Sequence, residues 1–226
     1  ATGQLARAGQ GQGGYDAWRE EVRAAVEYRP PEWQSAGQIA GKGIHPAALF
    51  RPVQELLDSH PDSVLVCDGG ECGQWAQACL RAGHRMVNGV AGAIGGALPM
   101  ALGARCVYPD APIVAVMGDG TFGFHCAEID TGVRYGLPFV CLVANDARWN
   151  AEYQIQLNTY GKDRTVGCEL LPTRYEKVAQ GFGAQGAYVD DLAALPAALK
   201  QAAAERRVPF CLNVTLEGLP APLVRR

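Results

Sequence analysis

The chain has 226 residues, 20 lysines and arginines against 23 aspartates and glutamates, and 28 glycines. Hydrophobic residues make up 48% and charged ones only 19%, a composition that can bury a core and excludes a disordered chain. The net charge of −3 and the lack of any Lys/Arg run longer than two residues exclude the basic face that normally holds nucleic acid.

The length fits one large domain, or one domain with an appendage. The stretch richest in small apolar residues, 90–104, falls short of the ~20 residues of a membrane span, and the N-terminus has no apolar signal region. No membrane partner is expected. Eight cysteines stand at 67, 72, 79, 106, 126, 141, 168 and 211 without C-x-x-C spacing. They read as buried free thiols in a reducing cytoplasm.

Residues 1–41 differ from the rest. Gly9-Gln10-Gly11-Gln12-Gly13-Gly14 has linker composition, a short amphipathic piece covers 15–27, and Pro30-Pro31 stops it. This part is expected to be a connector, with the folded domain over 42–226. From there helices and strands alternate. A helix is predicted over 46–59, with Leu49, Val53, Leu56 and Leu57 on one face. The apolar run 63–67 predicts a strand buried on both sides. Helices follow over 72–82 and 94–104, then a strand over 113–117 and a helix over 124–135. Gly136-Leu137-Pro138 ends that helix. A third strand is predicted over 139–144, a helix over 192–206 and a fourth strand over 209–215. This alternation predicts an α/β fold, a mostly parallel sheet with helices on both faces.

Parallel sheets bind ligands beyond the carboxyl ends of their strands, so the residues after each buried run matter most. They are Asp68-Gly69-Gly70-Glu71, Gly118-Asp119-Gly120-Thr121 and Asn145-Asp146-Ala147-Arg148. Glycines there allow close backbone approach to an anion. Asp119 and Asp146 offer hard oxygens of the kind that bind Mg²⁺ together with substrate phosphates. The plainer alternative is that both aspartates cap the helices that follow. Gly89-Val90-Ala91-Gly92-Ala93-Ile94-Gly95 is glycine-rich, but its spacing is G-x-x-G-x-x-G. It matches neither the dinucleotide fingerprint nor a phosphate loop.

Gly118-Asp119-Gly120 followed after 24 residues by Asn145-Asp146 resembles the thiamine diphosphate motif, GDG with a distal pair usually written NN. The segment from Gly89 through Ala104 is similar to the glycine-rich stretch upstream of GDG in the acetolactate synthase-like branch, and Asp68 to Trp75 resembles its first cofactor loop. The likeness runs from about His45 to Val214. Asn145 through Glu152 is also similar to sulfoacetaldehyde acetyltransferases and to some 2-hydroxyacyl-CoA lyases.

The resemblance implies thiamine diphosphate and Mg²⁺ as cofactors. Asp119 and Asp146 would hold the metal by their side chains and Arg148 by its backbone carbonyl. Gly118 opens the motif; Gly120 and Thr121 would lie along the diphosphate, with Gly70, Glu71 and Cys72 on its other side. Ile94 would be the wedge that bends the cofactor, and the Gly92 carbonyl would receive its exocyclic amine. The family usually has Asn where Asp146 stands, so Arg148 or another cation nearby is expected to offset the extra charge; the alternative is that Asn145 is the ligand. Glu152 falls where related keto-acid decarboxylases carry an active-site acid and is expected to act in general acid–base catalysis; otherwise it is a helix-start glutamate. His125 is a candidate pocket residue, and Trp75 and Trp149 are expected to pack.

Relatives of this kind carry a pyrimidine-binding and a middle domain as well. The chain is therefore expected to be one subunit of a split enzyme or the C-terminal piece of a longer one, completed by a pyrimidine-binding partner in an oligomer. The implied activity makes or cleaves C–C bonds next to a carbonyl, on a small 2-oxo acid, acyloin or hydroxyacyl-CoA. The alternatives are a 2-hydroxyacyl-CoA lyase, or a cofactor-binding subunit without turnover of its own.

Overall fold

A computed structural model describes residues 14–88 and 92–223. The start of the connector and Gly89, Val90 and Ala91 of the glycine-rich segment lie outside the described residues. Six strands form one all-parallel sheet: β1 (Val64–Asp68), β2 (His84–Val87), β3 (Ile113–Gly118), β4 (Val140–Asn145), β5 (Gln185–Val189) and β6 (Phe210–Thr215), in the spatial order β2-β1-β3-β4-β6-β5. The central strands are apolar without alternation because helices cover both of their faces. On one face Leu65, Cys67, Val114, Val116, Leu142 and Leu212 pack against α3 (Pro46–Asp58), α4 (Gly70–Cys79) and α10 (Leu195–Ala204). On the other, Val66, Ile113, Ala115, Met117, Cys141 and Val143 meet α5 (Ala97–Val107), α7 (Glu128–Tyr135) and α9 (Tyr175–Gly181).

The expected helix over 124–135 is two helices, α6 (Asp119–His125) and α7, broken at Cys126-Ala127. Helix α5 starts at Ala97 rather than at 94, because Gly95 has a φ of +99°, outside helical backbone. Strands β2 and β5 were not expected from the sequence. Both are edge strands with exposed positions, so neither has the continuous apolar run that marks a central strand.

Before the sheet, α1 (Asp16–Glu27) buries no residue, and α2 (Glu32–Ser35) follows. Beyond Pro30 the chain lies against the fold. Arg51 donates to the carbonyls of Trp33, Gln34 and Ala36 at 3.1, 3.2 and 2.7 Å, and the Trp33 ring sits 5.0 Å from that of Trp75. No helix among the described residues is long and apolar enough to cross a membrane.

The strand order fixes where a ligand can enter. After β1 the chain moves outward to β2 and then returns to place β3 on the other side of β1. The connections diverge there, which opens a crevice at the carboxyl ends of β1 and β3.

Candidate active site

Three loops meet at that crevice around a cavity of about 300 Å³. The β1–α4 turn supplies Gly70, Glu71 and Cys72, the β3–α6 turn Gly118, Asp119, Gly120 and Thr121, and the turn after β4 Asp146, Arg148 and Glu152. Gly92 and Ile94 close the remaining side, so all twelve site residues expected from the sequence line one cavity. Gln74, Gln77, Asn88, Trp149, Asn150 and Ala151 line it too.

The glycines have steric reasons. Gly69 has a φ of +82°, and a Cβ there would run into the Thr121 hydroxyl. A Cβ on Gly120 would lie 2.6 Å from the Trp149 indole. Trp149, expected only to pack, is thus both a cavity wall and the lid on the Gly120 backbone. The glycine-rich segment is tied to β1 by Asp68, whose buried carboxylate accepts from the backbone N–H groups of Gly95 (3.0 Å) and Ala97 (2.8 Å). His125 lines no part of the cavity and supports the same turn, with Nδ1 2.9 Å from the Gly95 carbonyl.

Asp119 and Asp146 follow neighbouring strands, paired Gly118 to Ala144. Asp119 is 1% exposed, and its Oδ2 is buried without a hydrogen-bond partner. Burial pushes its carboxyl up to about 6, with the nearby backbone N–H groups of Gly120, Asp119, Arg148 and Ala147 pulling the other way. Asp146 is pushed up to about 7, by burial and then by the Asp119 charge, while Arg148 pulls the other way. The Arg148 guanidinium also lies over the Tyr153 ring, 4.5 Å from its centre. Two desolvated acids, one with an orphaned oxygen, suit a hard divalent cation. Among the described residues no three His, Cys, Asp or Glu side chains form a metal cage.

The Asn145 side chain takes the other direction. Its Nδ2 donates to the Thr173 carbonyl (3.0 Å) and to Asn213 Oδ1 (3.1 Å), and its Oδ1 accepts from the Ala147 N–H. It is engaged in the fold while Asp146 faces the cavity.

Glu152 is the third residue of α8 (Asn150–Tyr160), exposed at the cavity mouth. Glu71 lines the cavity too, its carboxyl raised first by burial, pulled back by the nearby Ala221 N–H and raised again by the Glu152 charge. Cys72 is 9% exposed and forms part of the cavity wall, and burial raises its thiol well above the ordinary range. The segment after β6 crosses beside this mouth. Trp75 Nε1 donates to the Pro220 carbonyl at 2.8 Å and Asn150 Nδ2 to that of Leu219 at 2.9 Å.

An open parallel sheet with a glycine-walled, two-carboxylate crevice at its switch point defines an α/β domain of the kind that binds ligands at the carboxyl end of its sheet. Residues 68–214 match the family model of the thiamine pyrophosphate enzyme C-terminal TPP binding domain, and the chain belongs to that family. It is 34% identical over 173 residues to 2-hydroxyacyl-CoA lyase 2 of Bos taurus, which covers 75% of this chain and 27% of that protein. It is 31% identical over 214 residues to a probable acetolactate synthase of Mycobacterium bovis, covering 92% of this chain and 38% of that protein. A sulfoacetaldehyde acetyltransferase of Alcaligenes xylosoxydans xylosoxydans is 32% identical over 198 residues, 82% of this chain and 32% of that one. The chain thus spans between about a quarter and two fifths of the length of these relatives.

Proposed function

We propose that this chain is the diphosphate- and Mg²⁺-binding part of a thiamine diphosphate-dependent enzyme that makes or cleaves C–C bonds next to a carbonyl. A pyrimidine-binding domain, from another chain or from another part of the same protein, completes the site. The observation that carries this reading is the convergence of the twelve expected residues on one cavity, with the orphaned Asp119 oxygen at its base.

Asp119 and Asp146 hold the cation by their carboxylates, with the Arg148 carbonyl as a backbone donor. The amides around Gly120 and Thr121 face the diphosphate, and the Trp149 ring keeps the Gly120 backbone in place. Bound thiamine diphosphate supplies an electron sink for the carbanion left when a bond to a carbonyl carbon breaks. Glu152 holds or takes up a proton at its carboxylate, on the rim where substrate enters. The substrates are small 2-oxo acids or acyloins. A 2-hydroxyacyl-CoA lyase is the second reading, favoured by the 34% identity to proteins of that name. The eight free thiols fit a reducing cytoplasm.

Native mass spectrometry with Mg²⁺ and thiamine diphosphate tests the proposal. A complex that holds cofactor together with a pyrimidine-binding chain or domain is the expected result. A species that stays without cofactor when every candidate partner is supplied would overturn it.

A further inference from the structure

A buried polar chain runs from the surface of the fold to the turn that carries Asp146. Arg174 Nε donates to Glu176 Oε1 at 2.7 Å, and Asn213 Nδ2 donates to Glu176 Oε2 at 2.8 Å. Asn213 Oδ1 accepts from Asn145 Nδ2 at 3.1 Å, and the Thr173 carbonyl accepts from both asparagines. Asn145 Oδ1 then accepts from the Ala147 N–H at 3.2 Å. Asn213 and Glu176 are 0% and 2% exposed. Each amide orientation is fixed by the next, and Glu176, held by Arg174, anchors the series. A plain aliphatic filling would pack these positions with no desolvated polar groups to satisfy, so the network does something packing does not.

What it holds is unusual backbone. Ala147 has a φ of +54°, the one non-glycine with positive φ among the described residues, a strained conformation that persists only where its surroundings enforce it. It lies between Asp146 and Arg148, both of which line the cavity. Its carbonyl is pinned by the Leu170 N–H at 2.8 Å.

We propose that Asn213 and Glu176 are positioning residues for the metal: through Asn145 they hold the Ala147 turn so that Asp146 and Asp119 face one cation. This rests on the proposed Mg²⁺–thiamine diphosphate site. Neither residue touches the cavity.

The test exchanges donors for acceptors in the assembled enzyme. Asn213→Asp sets two carboxylates against each other. Adding Glu176→Gln restores that one bond with reversed polarity, since the glutamine can donate to the new carboxylate and still accept from Arg174, while the bond to the Thr173 carbonyl stays lost. Two readouts are taken: the Mg²⁺ concentration that half-saturates thiamine diphosphate binding, followed by Trp149 fluorescence, and the melting temperature without metal. The single Asn213→Asp variant should need about tenfold more Mg²⁺, the size expected when an outer partner of a metal ligand is lost, and the double variant should recover part of that loss, to about threefold above wild type. If Asn213→Asp does not fold, Glu176→Gln alone decides, with an expected rise of at least about threefold for one lost charge-assisted bond. Variants that melt earlier but half-saturate at the wild-type Mg²⁺ concentration would overturn the inference and leave the site intact. A wild-type enzyme with no saturable Mg²⁺ dependence, indistinguishable from Asp119→Ala, would bring down the site and the inference with it.

Discussion

Asp119 shows how one residue is held ready for a ligand. Its position at the start of α6 is one where a carboxylate is favoured, yet its Oδ2 is left buried and unpartnered. An unsatisfied buried oxygen destabilises a fold by about 1–3 kcal/mol, and a cation is the partner that relieves this. Asp119→Ala should therefore lose Mg²⁺-dependent cofactor retention, measured by equilibrium dialysis; retention at wild-type affinity would remove Asp119 from the metal site. Glu152 is the opposite case, exposed at the edge of the cavity. In the assembled enzyme Glu152→Gln should lower turnover by about 10²-fold or more, the usual contribution of a positioned acid or base, while cofactor affinity stays within about twofold. Turnover equal to wild type would reduce Glu152 to a helix-start residue.

Among the elements, depth decides what a substitution does. Leu142 on β4 is 0% exposed within a core cluster, whereas Trp18 on α1 is 60% exposed on a helix that buries nothing. Leu142→Ala should destabilise by about 3 kcal/mol, and Trp18→Asp by less than about 0.5 kcal/mol. Urea denaturation of the two variants checks both; a large loss from Trp18→Asp would mean that α1 is packed. The same contrast governs which elements were legible in the sequence. Central strands β1, β3, β4 and β6 stand out because burial on both faces demands continuous apolar runs. Edge strands β2 and β5 face no such demand. Helix α8 buries only Asn150, so nothing in its sequence has to repeat at helical spacing. The site was legible for a related reason, since glycines and acids set straight after buried strands line the end of the sheet where a ligand binds. Its supports were not. Asn145 and Asn213 are 68 residues apart, and Trp75 and Pro220 are 145 apart, and polar partners leave no periodic trace that would pair them.

At the scale of the whole molecule, the sheet's switch point brings two acids together that the fold alone would rather keep neutral, and this links stability, pH and metal. Both folded-state values, about 6 for Asp119 and about 7 for Asp146, lie above that of an unfolded aspartate. The sign follows directly. Protonated acids favour the metal-free fold, so their contribution is complete below about pH 4 and is lost as pH rises through 6 and then 7. Above that range two buried charges oppose folding until a cation joins them, and below it the cation must displace protons to bind. The rise in melting temperature produced by Mg²⁺ with thiamine diphosphate should therefore be small near pH ~5.5, grow steeply between about 6 and 7.5, and level off above about pH 8. Thermal unfolding across that range, with and without the two cofactors, measures it. Asp146→Asn should keep a cofactor-induced rise but lose the upper part of its pH dependence, because only the Asp119 proton then competes with the metal. A rise that is flat across pH in the wild-type protein would mean that the cation does not bind between these two carboxylates.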